Sequence, residues 1–263
     1  MRRYFTAFLL FLAFVSLFGC ASIPDSGERG AEKTAETVEF CLDTWSSDGT
    51  PLFLGTSRRL HNREDEWEQA LYSAASQAAI YHEVIGLSKV YTEDSHQGKG
   101  TWGEFDFQWD RSREVRIAEG LEEVSRIQDE HGTYMLFKYP DGKRVDLPSR
   151  RGWGKGRPSW LNEIPTIPGY LVSLGSSGRM RNPVDAIMAA DQQALEEMIK
   201  MLDLSISTQR NSVDFGSRGT GTVESSFELA RATVRGFMVV ARWHEPNEKV
   251  FYSLAICPEG ANP

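Results

Sequence analysis

Leu54-Gly55-Thr56-Ser57 and Leu174-Gly175-Ser176-Ser177 decide the fold, because the second stretch repeats the first at an offset of 120 residues. The same offset pairs Arg59 with Arg179, Asn62 with Asn182 and Asp65 with Asp185. It then continues without a gap through Trp67 and Ile187, Ala70 and Ala190, Ala74 and Ala194, Ala78 and Met198, Tyr81 and Met201. Those positions advance by three or four, which is one face of an α-helix. Asn62 and Asn182 stand where N-caps belong. Pro183 takes the first helical position, where its missing N–H leaves no bond unmade.

Further along, Phe107 matches Phe227 and Trp109 matches Leu229 at that offset. A short deletion then changes it to 116, so that Gly120-Leu121 meets Gly236-Phe237, Val124 meets Val240 and Ile127 meets Trp243. Each copy closes with a hairpin, Leu121 to Ile127 into Thr133 to Tyr139, and Gly236 to Trp243 into Val250 to Cys257. Pro140 and Pro258 end the copies. The pattern predicts an α+β fold of two similar modules, each a long helix packed on a small, mainly antiparallel sheet in the order strand, helix, strands. The modules span residues 38–140 and 168–258, joined by a linker over 141–167 and followed by a tail over 259–263.

The N-terminus carries a separate message. Met1-Arg2-Arg3 is a short positive region, and Phe5 to Phe18 is apolar except for Thr6 and Ser16. Such a run is short for a spanning helix and right for a signal peptide. It ends in Leu17-Phe18-Gly19-Cys20, which resembles the lipobox of bacterial lipoprotein precursors. The resemblance implies that residues 1–19 are a signal peptide and that Cys20 is lipidated and becomes the new N-terminus. With Ala21 and Ser22 after the cysteine, it also implies the outer membrane, with the fold facing the periplasm. Residues 20–37, rich in Pro, Ser, Gly, Glu and Lys, read as a flexible tether.

Loss of residues 1–19, with Arg2 and Arg3, takes the formal charge from −8 to −10. So acidic a chain is a poor partner for nucleic acid. Cys41 and Cys257 lie near the two ends of the folded region. In an oxidising compartment they form a candidate disulfide, with two buried free thiols as the alternative.

The second copy runs through Pro158-Ser159-Trp160, Pro165, Pro168, the strand from Tyr170 to Leu174, Gly175, an Ala-rich helix, and a last strand pair with Trp243 and Tyr252-Ser253-Leu254-Ala255. Over about 100 residues it resembles the 20-kDa outer-membrane lipoprotein family, which includes flagellar basal-disc lipoproteins. The first copy reads as a divergent version, with Tyr134-Met135-Leu136-Phe137 in the matching place. The resemblance implies a structural or assembly role in the envelope and carries over no catalytic residue.

Chemistry-bearing patterns are otherwise sparse. His82-Glu83 opens like a zinc-protease helix, but Gly86 stands where the second His belongs. Gly98, Gly100 and Gly103 have dinucleotide-loop spacing, yet an alternating strand pattern follows them, and they read as a loop. Neither a catalytic set, a metal site nor a cofactor site is expected. Trp153 and Trp160, beside Arg151, Lys155 and Arg157, form a candidate contact surface for a protein or a glycan; a linker packed on its own module is the alternative. The expected function is non-catalytic, a lipid-anchored envelope protein that binds a protein partner or itself. A glycan- or peptidoglycan-binding lipoprotein and an envelope hydrolase are the rivals.

Overall fold

The computed structural model describes residues 26–95, 98–139, 156–202, 207–214, 222–245 and 248–260. Thr37–Pro263 form one compact unit, and residues up to Glu36 belong to another. The expected tether is helical from Ser26 onward: α1 covers Ser26–Leu42. Ala31, Glu32, Lys33, Ala35 and Glu36 are strong helix formers, and that local preference outweighs their lack of apolar surface. Within the larger unit, Val38 and Cys41 turn one face of the end of this helix into the core.

Two three-stranded antiparallel sheets follow the same path. In the first, β1 (Leu52–Arg58) leads into α2 (Arg63–His82), and β4 (Glu122–Gln128) and β5 (Gly132–Lys138) form a hairpin, giving the order β1-β5-β4. In the second, β6 (Tyr170–Ser177) leads into α4 (Pro183–Leu202), and β9 (Met238–Glu245) and β10 (Val250–Pro258) give the order β6-β10-β9. Both helices start as expected. Asn62 Oδ1 accepts from the Glu64 N–H at 3.1 Å, and Asn182 Oδ1 accepts from the Val184 N–H at 3.1 Å.

Between helix and hairpin each half contributes a further strand pair, β2 (Val84–Ser95) with β3 (Gly98–Trp109), and β7 (Ser207–Asp214) with β8 (Thr222–Val234). These join in one four-stranded sheet, β3-β2-β8-β7, through the pairing of β2 with β8 from Val84–Val234 to Asp94–Glu224. The halves are therefore linked through a common sheet. Residues 141–155 of the expected linker lie outside the described residues.

Three finer expectations are corrected. Gly98, Gly100 and Gly103 belong to β3, paired with Ser95, Glu93 and Val90 of β2, and do not form a loop. Ser207, 120 residues beyond Leu87, pairs with Leu229, whereas Leu87 pairs with Asp106. The two hairpins thus differ in register by three residues, so the first and second strands of the pair cannot both keep the 120-residue offset. Finally, a helix, α3 (Ser112–Gly120), stands between β3 and β4, where the other half has only three residues, 235–237.

Strand alternation sets the layers. Phe53, Met135 and Phe137 face Ala70, Ala74 and Ala78 of α2. Their neighbours Leu52, Leu54, Tyr134 and Leu136 turn the other way, against Val184 and Ile187 of α4. Further along α4, Leu195, Met198 and Ile199 pack with Val84, Val234, Ala255 and Cys257. α4 is wedged between two sheets, which is why it is apolar around most of its circumference. The far face of β6-β10-β9 is closed by Trp160 and Ile167, packed on Val240, Leu254 and Ile256.

Candidate functional site

The space left between these layers forms a concavity with mostly apolar walls. A cavity of about 310 Å³ lies between α2 and α4, floored by β1 and β9. Phe53, Ile80, Met188, Leu195 and Val239 supply apolar walls. On α4 the lining runs Asp185, Met188, Ala189, Asp191, Gln192 and Leu195, residues that share one side of the helix. Ala189 makes room at its centre. On α2, Gln77 and Ile80 face it; the Gln77 amide donates to the Leu54 carbonyl at 2.5 Å and lies 3.8 Å from the Met188 sulfur.

The charged groups at this cavity are engaged with each other or lie at its edge. The Arg242 side chain, 2% exposed, donates to Asp191 at 2.8 Å and to the Cys41 carbonyl at 3.1 Å. Asp191 also accepts from Ser253 Oγ at 2.5 Å. Buried charge pairs hold only when their remaining valences are hydrogen-bonded, and here they are. Asp185 lies at the rim, half-exposed, 3.7 Å from the exposed guanidinium of Arg58. The arrangement offers an apolar slot with uncharged amides at its edge. It sets up no proton-transfer pair.

A second buried charge lies in the other half. Glu66 is fully buried and accepts from Thr133 Oγ1 and Arg63 at 2.6 Å, from the Leu60 N–H at 2.9 Å, and from Arg59. Burial alone would push its pKa up, but the hydrogen bonds outweigh it and hold the carboxyl down at about 2. The Arg63 guanidinium also donates to the carbonyls of Asp129 and Gly132, tying the helix start to the β4–β5 turn. This is a structural clamp.

The sequence-predicted site residues do not converge. Trp160 is 1% exposed, so it cannot offer a contact surface; its indole fills the space over Leu254 and Ile256, and among the described residues its N–H has no partner. Arg157 is half-exposed and ion-paired with Glu245. Trp153, Arg151 and Lys155 lie outside the described residues, as does Cys20. Cys41 and Cys257 are both buried in different core clusters and are not bonded to each other, so of the two alternatives the structure holds the pair of buried thiols. Burial pushes the Cys41 thiol up to about 12, and Cys257 donates to the Arg235 carbonyl at 3.2 Å. Trp67, on the recurring helix face, is 37% exposed with the Arg126 guanidinium 4.1 Å above its ring. His82 lies 3.1 Å from the Tyr139 hydroxyl, and His244 stacks on Phe251.

Among the described residues there is no group of three or more His, Cys, Asp or Glu placed to hold a metal ion, and no helix is long and apolar enough to cross a membrane. Sequence reading missed the cavity. Its stripe on α4 was legible only as apolar periodicity, and the α2 wall comes from a residue, Gln77, that such periodicity ignores.

The chain matches no protein-family profile, no curated protein and no solved structure.

Proposed function

We propose that this chain is a lipid-anchored outer-membrane lipoprotein of the periplasmic face, built from two divergent copies of one helix-and-sheet module, with a non-catalytic role in protein assembly. The observation that carries the reading is the run from Met1-Arg2-Arg3 through an apolar stretch to Leu17-Phe18-Gly19-Cys20. Dual acylation would anchor it firmly, since each buried methylene contributes about 0.8 kcal/mol.

The duplication is supported by matching topology. Strand orders β1-β5-β4 and β6-β10-β9 correspond, and Gly55 and Gly175 approach Ala70 and Ala190 in the same way, each at the 120-residue offset. The resemblance to the 20-kDa outer-membrane lipoprotein family points to the same assembly role. Two linked modules favour bivalent contact with a partner through effective concentration.

The test is metabolic labelling with an alkyne-bearing fatty acid, followed by crosslinking of intact envelopes. The native chain should take up label and the Cys20→Ser variant should not. The crosslinked native chain should run as a discrete complex with an envelope protein or with itself. An unlabelled, freely soluble monomer would sink the proposal.

A further inference from the structure

We propose that the cavity between α2 and α4 binds the acyl chain of an uncharged single-chain lipid. The first argument is shape. The lining stripe on α4 runs from Asp185 to Leu195, ten residue steps, and at 1.5 Å per step this wall is about 15 Å long. One wall is therefore long enough to lie along an extended hydrocarbon chain. The second is capacity. At about 30 Å³ for each water-sized group, 310 Å³ takes roughly ten chain atoms.

The third argument is chemistry. Leu52, Phe53, Ile80, Phe107, Leu195 and Val239 present apolar side chains on several sides, a lining that favours hydrocarbon over water. Met188, flexible and polarizable, adapts to a chain of variable bend. The fourth is charge. The Arg242 guanidinium is committed to Asp191 and to the Cys41 carbonyl, so it is not free to receive a carboxylate or phosphate. Asp185 at the rim is paired with Arg58, so the rim offers no lone cation to draw an anionic head group. The exposed Gln192 amide, and Gln77 deeper in, suit an ester or hydroxyl. This site concerns ligand binding and stands whether or not Cys20 is acylated.

The test uses the full-length chain in lipid nanodiscs with a photoreactive ten-carbon monoacylglycerol. On irradiation, adducts should map to the Gln77–Ile80 and Met188–Leu195 segments. Unlabelled monodecanoin should suppress them, and decanoate should need at least tenfold more to do so. Ala189→Phe, which fills the slot, should cut labelling at least tenfold with no fall in melting temperature. Ile80→Trp closes the same space from α2 should the first variant fold poorly. Adducts scattered outside these segments, or labelling undiminished in a folded slot-filling variant, would overturn the site. Equal competition by decanoate would overturn the uncharged head group.

Discussion

Glu66 shows what a single residue fixes and what a sequence hides. At its position 120 residues on stands Ala186, so nothing in the repeat marks Glu66 as special, and acidic residues in a first helical turn are ordinarily solvated. Only the fold reveals that Thr133, Arg63, Arg59 and the Leu60 N–H converge on it. Glu66→Ala strands those donors in a partly buried place. It should lower unfolding free energy by about 3 kcal/mol, at the low end for a broken buried pair because both arginines still reach water. Urea unfolding at pH 7 measures it. The acid limb carries a second signature. The folded carboxyl titrates near 2 against an ordinary value of 4.5, so its stabilisation is complete above 4.5 and is lost as pH falls through about 2. Glu66→Gln should flatten the stability profile across that window and leave the profile above pH 6 parallel to the native one. An unchanged acid limb would show that Glu66 is not held as a charged acceptor.

At the scale of elements, the strand-to-helix units were legible because their signals are local: Asn62 and Asn182 cap, Pro183 opens a helix, and alanines recur at helical spacing. The glycines of Leu54-Gly55 and Leu174-Gly175 were legible as part of the repeat, and their physical role is contact. A Cβ on Gly55 would lie 2.2 Å from the Ala70 carbonyl oxygen, and one on Gly175 would lie 2.1 Å from that of Ala190. Each helix rests directly on strand backbone, which is why alanine lines both contact stripes. Gly175→Ala must push α4 off β6, an overpacking change worth about 2–3 kcal/mol. For a chain of this size that is a fall of about 4–12 °C in melting temperature. Gly178→Ala, where a Cβ meets nothing within 4 Å, should shift stability by less than about 0.5 kcal/mol. Equal losses at the two sites would mean that helix and strand are not in backbone contact. The tether was misread, and the choice between a disulfide and two buried thiols left open, for the converse reason. Residues Ser26–Glu36 follow helix propensity, and Cys41 and Cys257 are placed by packing that no spacing encodes.

For the whole molecule, the sequence suggested two modules on a linker, and the contacts that bind the halves were invisible because strand pairing between distant segments leaves no periodic trace. β2 pairs with β8 along its length, Gly86 presses against Ile199, and the Ser88 hydroxyl lies 3.2 Å from Glu196 on α4. Thr44 Oγ1 and Trp45 Nε1 both donate to the Val240 carbonyl, at 2.8 Å and 2.7 Å, so the approach to β1 is fastened to β9. α4 buries side chains of both halves. Exposing one half would leave apolar α4 and two unpaired inner strands in water, so the halves lack independent stability and unfold together. Fluorine-labelled tryptophan at Trp67, in the first half, and at Trp243, in the second, reports each half separately. The two resonances should lose native intensity at one urea midpoint, with equal slopes. Gly86→Val, which drives a branched side chain into Ile199, should lower both midpoints by the same amount. Separated midpoints, or a Gly86→Val effect confined to Trp67, would mean that the halves are independent domains and that the shared sheet is not what holds the slot between α2 and α4 together.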